Sequence, residues 1–187
     1  LYISAAGSNT SVMQRIKEAL SQALDLQNDD NSGDLLLRIR RKKSQWQVLI
    51  RTTQRPLVTR DWRVSDMEGA LNASVAYAMI QLVKMQSSAT HLNAMCGSGT
   101  LLIEHALGTP TMTHIGVDND STALSYAQSN IHAAGLGETV SLLQSDIQRI
   151  PLANGAVDEV TVDLPFGQLV GSHEINVSLY PVIIKEI

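Results

Sequence analysis

The residues best equipped for chemistry are Asp163, Leu164, Pro165 and Phe166, followed by Gly167, at the end of the apolar run Val160-Thr161-Val162. A carboxylate at a strand tip accepts a hydrogen bond from an amine, and the backbone carbonyl beside it accepts a second. An aromatic ring two residues further on stacks against a planar base. Groups placed in this way orient a weakly nucleophilic nitrogen toward an electrophile, which is catalysis by positioning more than by acid–base chemistry. About sixty residues earlier stands Cys96-Gly97-Ser98-Gly99-Thr100, ahead of the apolar segment Leu101 to Leu107. Glycines there let the backbone pass close to a ligand, and a helix starting at Thr100 presents N–H groups to an anion such as a carboxylate. The same residues also serve as a plain strand-to-helix turn. Leu102 stands where the third glycine of a dinucleotide-binding pattern would fall, which disfavours that ligand.

Asp118 closes the second strand in Gly116-Val117-Asp118-Asn119-Asp120, where an acid can accept hydrogen bonds from both hydroxyls of a ribose. The alternative is that Asp120 or Ser121 caps the next helix and Asp118 is a surface acid. Asp146, with Ile147 beside it, ends the run Val140 to Ser145 and is the matching candidate for an adenine amino group, or else a loop acid. Cys96 reads as a small buried side chain and not as a nucleophile. Phe166, the one Phe of the chain, reads as a base-stacking group. Trp46 and Trp62 flank a basic segment and could stack on a base, with packing the better reading for Trp46.

These residues need elements to hold them. Tyr2 to Ala5 is a strand candidate, Ser11 to Leu26 has helical apolar spacing with Ser11 as its cap, and Leu35 to Arg40 and Trp46 to Ile50 read as two strands around a turn. Gln54 to Arg63 reads as a linker, and Met67 to Met85 as an amphipathic helix. Strand and helix then alternate: strand His91 to Met95, helix Thr100 to Leu107, strand His114 to Val117, helix Ser121 to Ala134, strands Val140 to Gln144 and Val157 to Val162, and a helix from about Asn176. Such alternation implies a parallel sheet with crossover helices, whose ligands gather at the carboxyl ends of the strands. The expected organisation is a partial α+β segment over residues 1–60 and a Rossmann-like α/β domain over 61–187. About four strands precede Ile187, fewer than an ordinary sheet holds, which predicts a fragment cut at both ends.

With 44% hydrophobic residues in 187, the chain can bury a real core. No apolar stretch reaches the roughly 18 residues of a membrane span, and the first residues lack a secretory pattern, so the expectation is cytoplasmic with no membrane contact. The single Cys96 excludes an internal disulfide, and the five histidines show no ligand spacing, so no metal is expected. The net charge of −4 hides an asymmetry: nine of the 14 Lys and Arg residues are Arg38, Arg40, Arg41, Lys42, Lys43, Arg51, Arg55, Arg60 and Arg63. A basic segment joined to an acidic one fits a chain whose first part meets an anion such as nucleic acid, or a solvated hairpin surface.

Taken together, Asn93-Ala94-Met95-Cys96-Gly97-Ser98-Gly99-Thr100-Leu101-Leu102-Ile103-Glu104, the acids of Gly116 to Asp120 and the tetrad Asp163 to Phe166 resemble the class I S-adenosylmethionine-dependent methyltransferases. More closely, they resemble the THUMP-associated RNA guanine-N2 methyltransferases, over roughly Arg60 to Pro181. The resemblance implies a class I methyltransferase sheet and S-adenosyl-L-methionine held by Asn93, Gly97, Ser98, Gly99, Thr100, Asp118, Asn119, Asp146 and Ile147. It implies methylation of N2 of a guanosine, most plainly in tRNA, with Asp163, Leu164, Pro165 and Phe166 at the acceptor. Another exocyclic amine, such as adenine N6 or an rRNA guanine, and a catalytically silent RNA-binding homologue are the alternatives. Two positions depart from the pattern. Asn93 stands where the family usually has Asp, and Leu164 replaces the first proline, which keeps the backbone carbonyl. Residues 1–60 resemble the end of a THUMP-type RNA-binding domain.

Overall fold

A computed structural model describes residues 1–5, 9–29, 31, 33–51, 53, 55–82, 89–166 and 172–187. The chain forms two compact units, Leu1–Leu57 and Val58–Ile187.

The first unit carries β1 (Tyr2–Ala5), α1 (Ser11–Leu24), β2 (Leu36–Lys42) and β3 (Gln45–Arg51). β1 pairs parallel with β2 and β2 antiparallel with β3, with Arg41 opposite Trp46. Period-2 alternation turns Leu37 toward Leu1, Ile3 and Met13 in a small core and leaves Arg38 and Arg40 exposed. Lys43 takes φ 57° in the turn between β2 and β3. The cap of α1 is Thr10, whose Oγ1 accepts from the Met13 N–H at 3.4 Å, and not Ser11, which is the first helical residue. Trp46 is 68% exposed, against the expectation that it packs.

The second unit holds α2 (Ala73–Ile80), β4 (Thr90–Ala94), α3 (Thr100–Gly108), β5 (Thr113–Asp118), α4 (Ser121–Ala133), β6 (Val140–Gln144), β7 (Glu159–Val162) and α5 (His173–Glu186). The strands form one sheet in the order β6-β5-β4-β7, with every described pairing parallel. Both faces are covered. Leu92, Ala94 and Val117 pack with Ile183 of α5, while Leu102, Ile103 and Ala106 of α3 pack with Ala127 and Ile131 of α4. Gly116 of β5 lies under α3, where an added Cβ would sit 2.5 Å from Leu102 Cδ2 and 2.8 Å from Leu142 Cδ2, so that only glycine fits without displacing the core.

Two sequence expectations change here. The helix expected over Met67 to Met85 is confined, among the described residues, to Ala73–Ile80, capped by Asn72, whose side chain accepts from the Ser74 and Val75 N–H groups; residues 83–88 lie outside the described ones. The expected linker is a linker only in part. From Val58 on it belongs to the second unit, where Arg60 forms a bidentate pair with Glu104 (2.6 and 3.2 Å) and Trp62 is buried.

At the amino ends of the strands, three imidazoles meet inside the core. His91 of β4 stacks on His105 of α3 at 3.7 Å and meets His114 of β5 edge-on, all three without exposure. Burial, and then the neighbouring His105 and His114, push the His91 pKa down to about 3, and burial lowers that of His114. Glu159 of β7 is the carboxylate at this cluster, bonded to His105 Nε2. An unfolded chain therefore takes up protons near pH 6.5 that the folded one refuses, and the linked stability is complete above about pH 6.5 and is lost as pH falls toward 3. Equilibrium unfolding in denaturant should show the parent losing, through His91 alone, on the order of 3 kcal/mol by pH 4, with a flatter profile for His91→Gln.

Candidate active site

β4 ends in a turn whose backbone conformations are restricted. Met95 takes φ 56°, Gly97 φ 54° and Gly99 φ 84°, all left-handed. Glycine adopts this region freely, whereas Met95 does so at a cost that the surrounding contacts must cover. Cys96 N–H bonds to the Val117 carbonyl at 2.8 Å and Gly99 N–H to the Cys96 carbonyl at 2.8 Å. Gly97 N–H bonds to Asp118 Oδ2 at 2.8 Å. The other carboxylate oxygen of Asp118 accepts from Asp120 N–H at 3.0 Å, and Asp120 in turn caps α4 through Thr122 N–H. Asp118 is thus both the fastener of the glycine turn and a half-buried acceptor at the cleft. Gly99 precedes α3 without any side-chain cap, so the first N–H groups of that helix remain available to an anion.

A cleft of about 350 Å³ opens beside this turn. Asn93 lies in its wall, donates from Nδ2 to the Thr161 carbonyl at 3.0 Å, and has a buried Oδ1 without a partner. Burying an unpaired carbonyl costs free energy, and the cost is recovered when a donor enters. Cys96 also lines the cleft, but burial and the nearby Asp118 charge push its thiol pKa up to about 12, which keeps it from acting as a thiolate.

Asp163 follows β7 at the mouth of the cleft, and desolvation by the surrounding protein raises its carboxyl above the usual aspartate range. Leu164 turns into the core beside Ile183. The Pro165 carbonyl accepts from Asn176 Nδ2 at 2.6 Å and from the Tyr180 hydroxyl, so α5 holds the tetrad in place. Phe166 stands 69% exposed, as a stacking platform requires and a core side chain does not. Gly167 lies outside the described residues.

The fold therefore brings Asn93, Gly97, Ser98, Thr100, Asp118, Asn119 and the tetrad Asp163 to Phe166 to one cleft. It does not bring Gly99, Asp146 or Ile147 to that wall. Gly99 packs against Ala127, Asp146 is exposed and accepts from the Gln148 N–H at 2.9 Å, and Ile147 is buried beside Leu92 and Val117. The segment Met67 to Leu71 supplies an unexpected wall. It is tied down by Arg63, which donates to the Leu71 carbonyl at 2.9 Å and to Thr100 Oγ1 at 2.7 Å. Asn130 of α4 completes the fastening. Its Oδ1 accepts from the Val64 and Ser65 N–H groups, both at 2.9 Å, and its Nδ2 donates to the Ser65 carbonyl at 2.9 Å and the Ser98 carbonyl at 3.0 Å. In the sequence Asn130 is one polar residue on a helix, with nothing local to mark it. The spacing of the histidines likewise concealed that His91, His105 and His114 each place a ring nitrogen within 4.8 Å of the others.

Residues 60–187 match the family model described as UPF0020, the RMKL-like methyltransferase domain. The chain belongs to this family. Among curated relatives, it is 38% identical over 98 residues to the U6 snRNA (guanine-N(2))-methyltransferase THUMPD2 of Bos taurus, covering 52% of this chain and 20% of that protein. It is 33% identical over 127 residues to the tRNA (guanine(6)-N(2))-methyltransferase THUMP3 of Bos taurus, covering 62% of this chain and 25% of that one. The chain thus spans about a fifth to a quarter of the length of these relatives. TrmN from Thermus thermophilus shares the fold with a TM-score of 0.65 at 25% identity, over 89% of this chain and 50% of TrmN. SMU.472, a putative methyltransferase complexed with SAH, gives a TM-score of 0.78 at 18% identity, over 99% of this chain and 63% of that structure, which supports the fold.

Within this methyltransferase domain, Asn130 has all four of its hydrogen-bonding positions filled while being fully buried. Asn130→Ala removes four hydrogen bonds, of which the one to the Ser98 carbonyl is fully buried, and should cost about 2–4 kcal/mol of stability, measured by equilibrium unfolding.

Proposed function

We propose that the protein containing this domain transfers a methyl group from S-adenosyl-L-methionine to N2 of a guanosine in RNA, with tRNA as the first candidate substrate. The observation that carries the reading is the convergence of Asp163, the Leu164 backbone and an exposed Phe166 on the same cleft as the glycine turn and Asp118. The cofactor implied by the family fits these residues. The partnerless Oδ1 of Asn93 suits a donor such as the ammonium of a methionine moiety, and the uncapped start of α3 suits its carboxylate. Asp118 suits the ribose hydroxyls. The departure from Asp to Asn at 93 keeps the acceptor oxygen and removes the charge. S-adenosyl-L-methionine supplies the electrophilic methyl when bound.

The acceptor side follows from the tetrad. Asp163 and the Leu164 carbonyl accept the two hydrogens of an exocyclic amine and so aim the nitrogen lone pair into the cleft. Because α5 occupies the Pro165 carbonyl, the Leu164 carbonyl is the one assigned to the amine. Desolvation raises the Asp163 carboxyl, which makes it a better acceptor for the proton that the methylated amine loses. Phe166 stacks on a base that is unpaired or flipped out. The guanine-N2 assignment rests on the names of the relatives THUMPD2 and THUMP3. In the same reading residues 1–60 are the end of a THUMP-type RNA-binding domain, and the protein works in the cytoplasm.

Titration calorimetry and single-turnover methylation of RNA separate the two halves of this site. Asp118→Ala removes the ribose partner together with the anchor of the Gly97 turn and should weaken S-adenosyl-L-methionine binding by at least about 1.5–3 kcal/mol, the range for one hydrogen bond to a charged group. Asp163→Ala should leave that affinity nearly unchanged and lower turnover by about 100-fold or more. Normal turnover in Asp163→Ala would remove the tetrad from the mechanism.

Arg60 and Arg63 are engaged with Glu104, Thr100 and the Leu71 carbonyl, while Arg38, Arg40, Arg41, Lys42 and Lys43 of β2 and its turn are exposed and serve as candidate phosphate contacts. Replacing Arg40, Arg41, Lys42 and Lys43 by Ser should weaken RNA binding in the full-length protein and flatten the log K against log salt slope by as much as ~3. Cofactor affinity should not change. Filter binding over a salt series reads the slope, and equal slopes would make the hairpin a solvated surface.

A further inference from the structure

The methyltransferase reading gives no role to the polar cluster at the amino ends of β4, β5 and β7. Three of the five histidines are fully buried there, in a layer that apolar side chains fill elsewhere. The bonding is ordered. His114 Nε2 lies 3.2 Å from the Thr109 carbonyl, an acceptor only, so it carries the proton. His114 Nδ1 then accepts from His91 Nδ1 at 3.3 Å, and His91 Nε2 accepts from the Thr161 hydroxyl at 2.8 Å. His105 Nε2 lies 2.6 Å from Glu159 Oε1, and its Nδ1 lies 3.1 Å from Thr109 Oγ1.

We infer that His91, His105 and His114 form a structural binding site for a divalent transition-metal ion that favours imidazole ligands, of the zinc class. Two ligand nitrogens on a tetrahedral ion with bonds of about 2.0–2.1 Å stand about 3.3 Å apart, and the Nδ1 atoms of His91 and His114 stand 3.3 Å apart. The second shell agrees. Each Nε2 faces an oxygen, namely Thr161 Oγ1, Glu159 Oε1 and the Thr109 carbonyl, and metal-bound imidazoles use their other ring nitrogen in this way. In the hydrogen-bonded arrangement His91 and His114 each carry one proton, which leaves each ring one lone pair for an ion. Ligation moves the His91 proton from Nδ1 to Nε2, where it is donated to Thr161, so both imidazoles remain neutral. His91 and His105 are stacked with planes 7° apart, and their in-plane lone pairs run parallel. Ligation therefore requires a turn of the His105 ring off the stack, which also releases its Nδ1 from Thr109 Oγ1. Glu159, bonded to His105 Nε2, offsets one of the two charges of the ion.

The test of this site does not read activity. The chelator-treated 187-residue chain is refolded with increasing Co(II), and the visible absorption is followed. The expected result is the visible bands of Co(II) held by three imidazoles with a water as the fourth ligand, saturating at one equivalent and lost on adding Zn(II), with Zn(II) raising the thermal midpoint by several degrees and Mg(II) leaving it in place. His114→Gln should abolish the bands. Changing the exposed His132 and His173 together to Gln should leave them as in the parent, and this variant decides the matter if His114→Gln does not fold. Absence of bands in the parent, or their loss in the His132/His173 variant, would overturn the site and leave the cluster as a hydrogen-bonded core.

Discussion

The N–H of Gly97 reaches Asp118 Oδ2 at 2.8 Å, and the geometry of the cleft depends on that bond. It ties the turn after β4 to the end of β5, two neighbouring parallel strands, at the point where the chain passes through three left-handed residues, Met95, Gly97 and Gly99. Without an anchor such a turn would relax, because Met95 in particular has no intrinsic preference for φ 56°. With it, the start of α3 is held uncapped at the cleft, and Asn93 keeps a buried oxygen unpaired. Both features cost stability in the isolated chain and are useful only when a ligand with an anion and a donor fills them.

Much of this was legible in the sequence because it is local. Strand and helix alternation from His91 onward showed the parallel sheet, and each motif sits within a few residues of a strand end. Gly97, Ser98, Thr100, Asp118 and Asp163 were therefore placed by position along their own elements. What was not legible rests on pairings across long separations. The Arg60–Glu104 pair joins residues 44 apart and binds part of a stretch that reads as linker into the second unit, and the bonds of Asn130 to Val64 and Ser65 join residues 66 and 65 apart. Trp62 and Trp46 exchanged roles for the same reason. A tryptophan in a hairpin of the small first unit has little core to enter, whereas Trp62 meets α3 and α4.

Asp146 and Ile147, placed by the resemblance, do not line the cleft. An acid after the third strand of the motif order is a sound candidate by sequence. In the folded chain its carboxylate turns back onto the Gln148 N–H and its neighbour fills the core, so the loop is stabilised by its own Asx turn. The tetrad behaves differently because an external element fixes it: Asn176 and Tyr180 of α5 hold the Pro165 carbonyl, and nothing in the order of residues 163–166 announces that support.

Helix α3 links the two polar regions of the sheet. Its first residue, Thr100, receives Arg63 beside the cleft, while Glu104 receives Arg60 and His105 lies against His91 near the helix end. A helix of nine residues is too short to persist alone, so its position is set by what it packs on. The histidines and Glu159 fix its last turn against β4, β5 and β7, and Arg63 with Gly99 fixes its first. The free N–H groups at its start can point at a ligand only while the far end is held. This gives the buried polar cluster a structural role at the cleft even though it lies at the opposite ends of the strands.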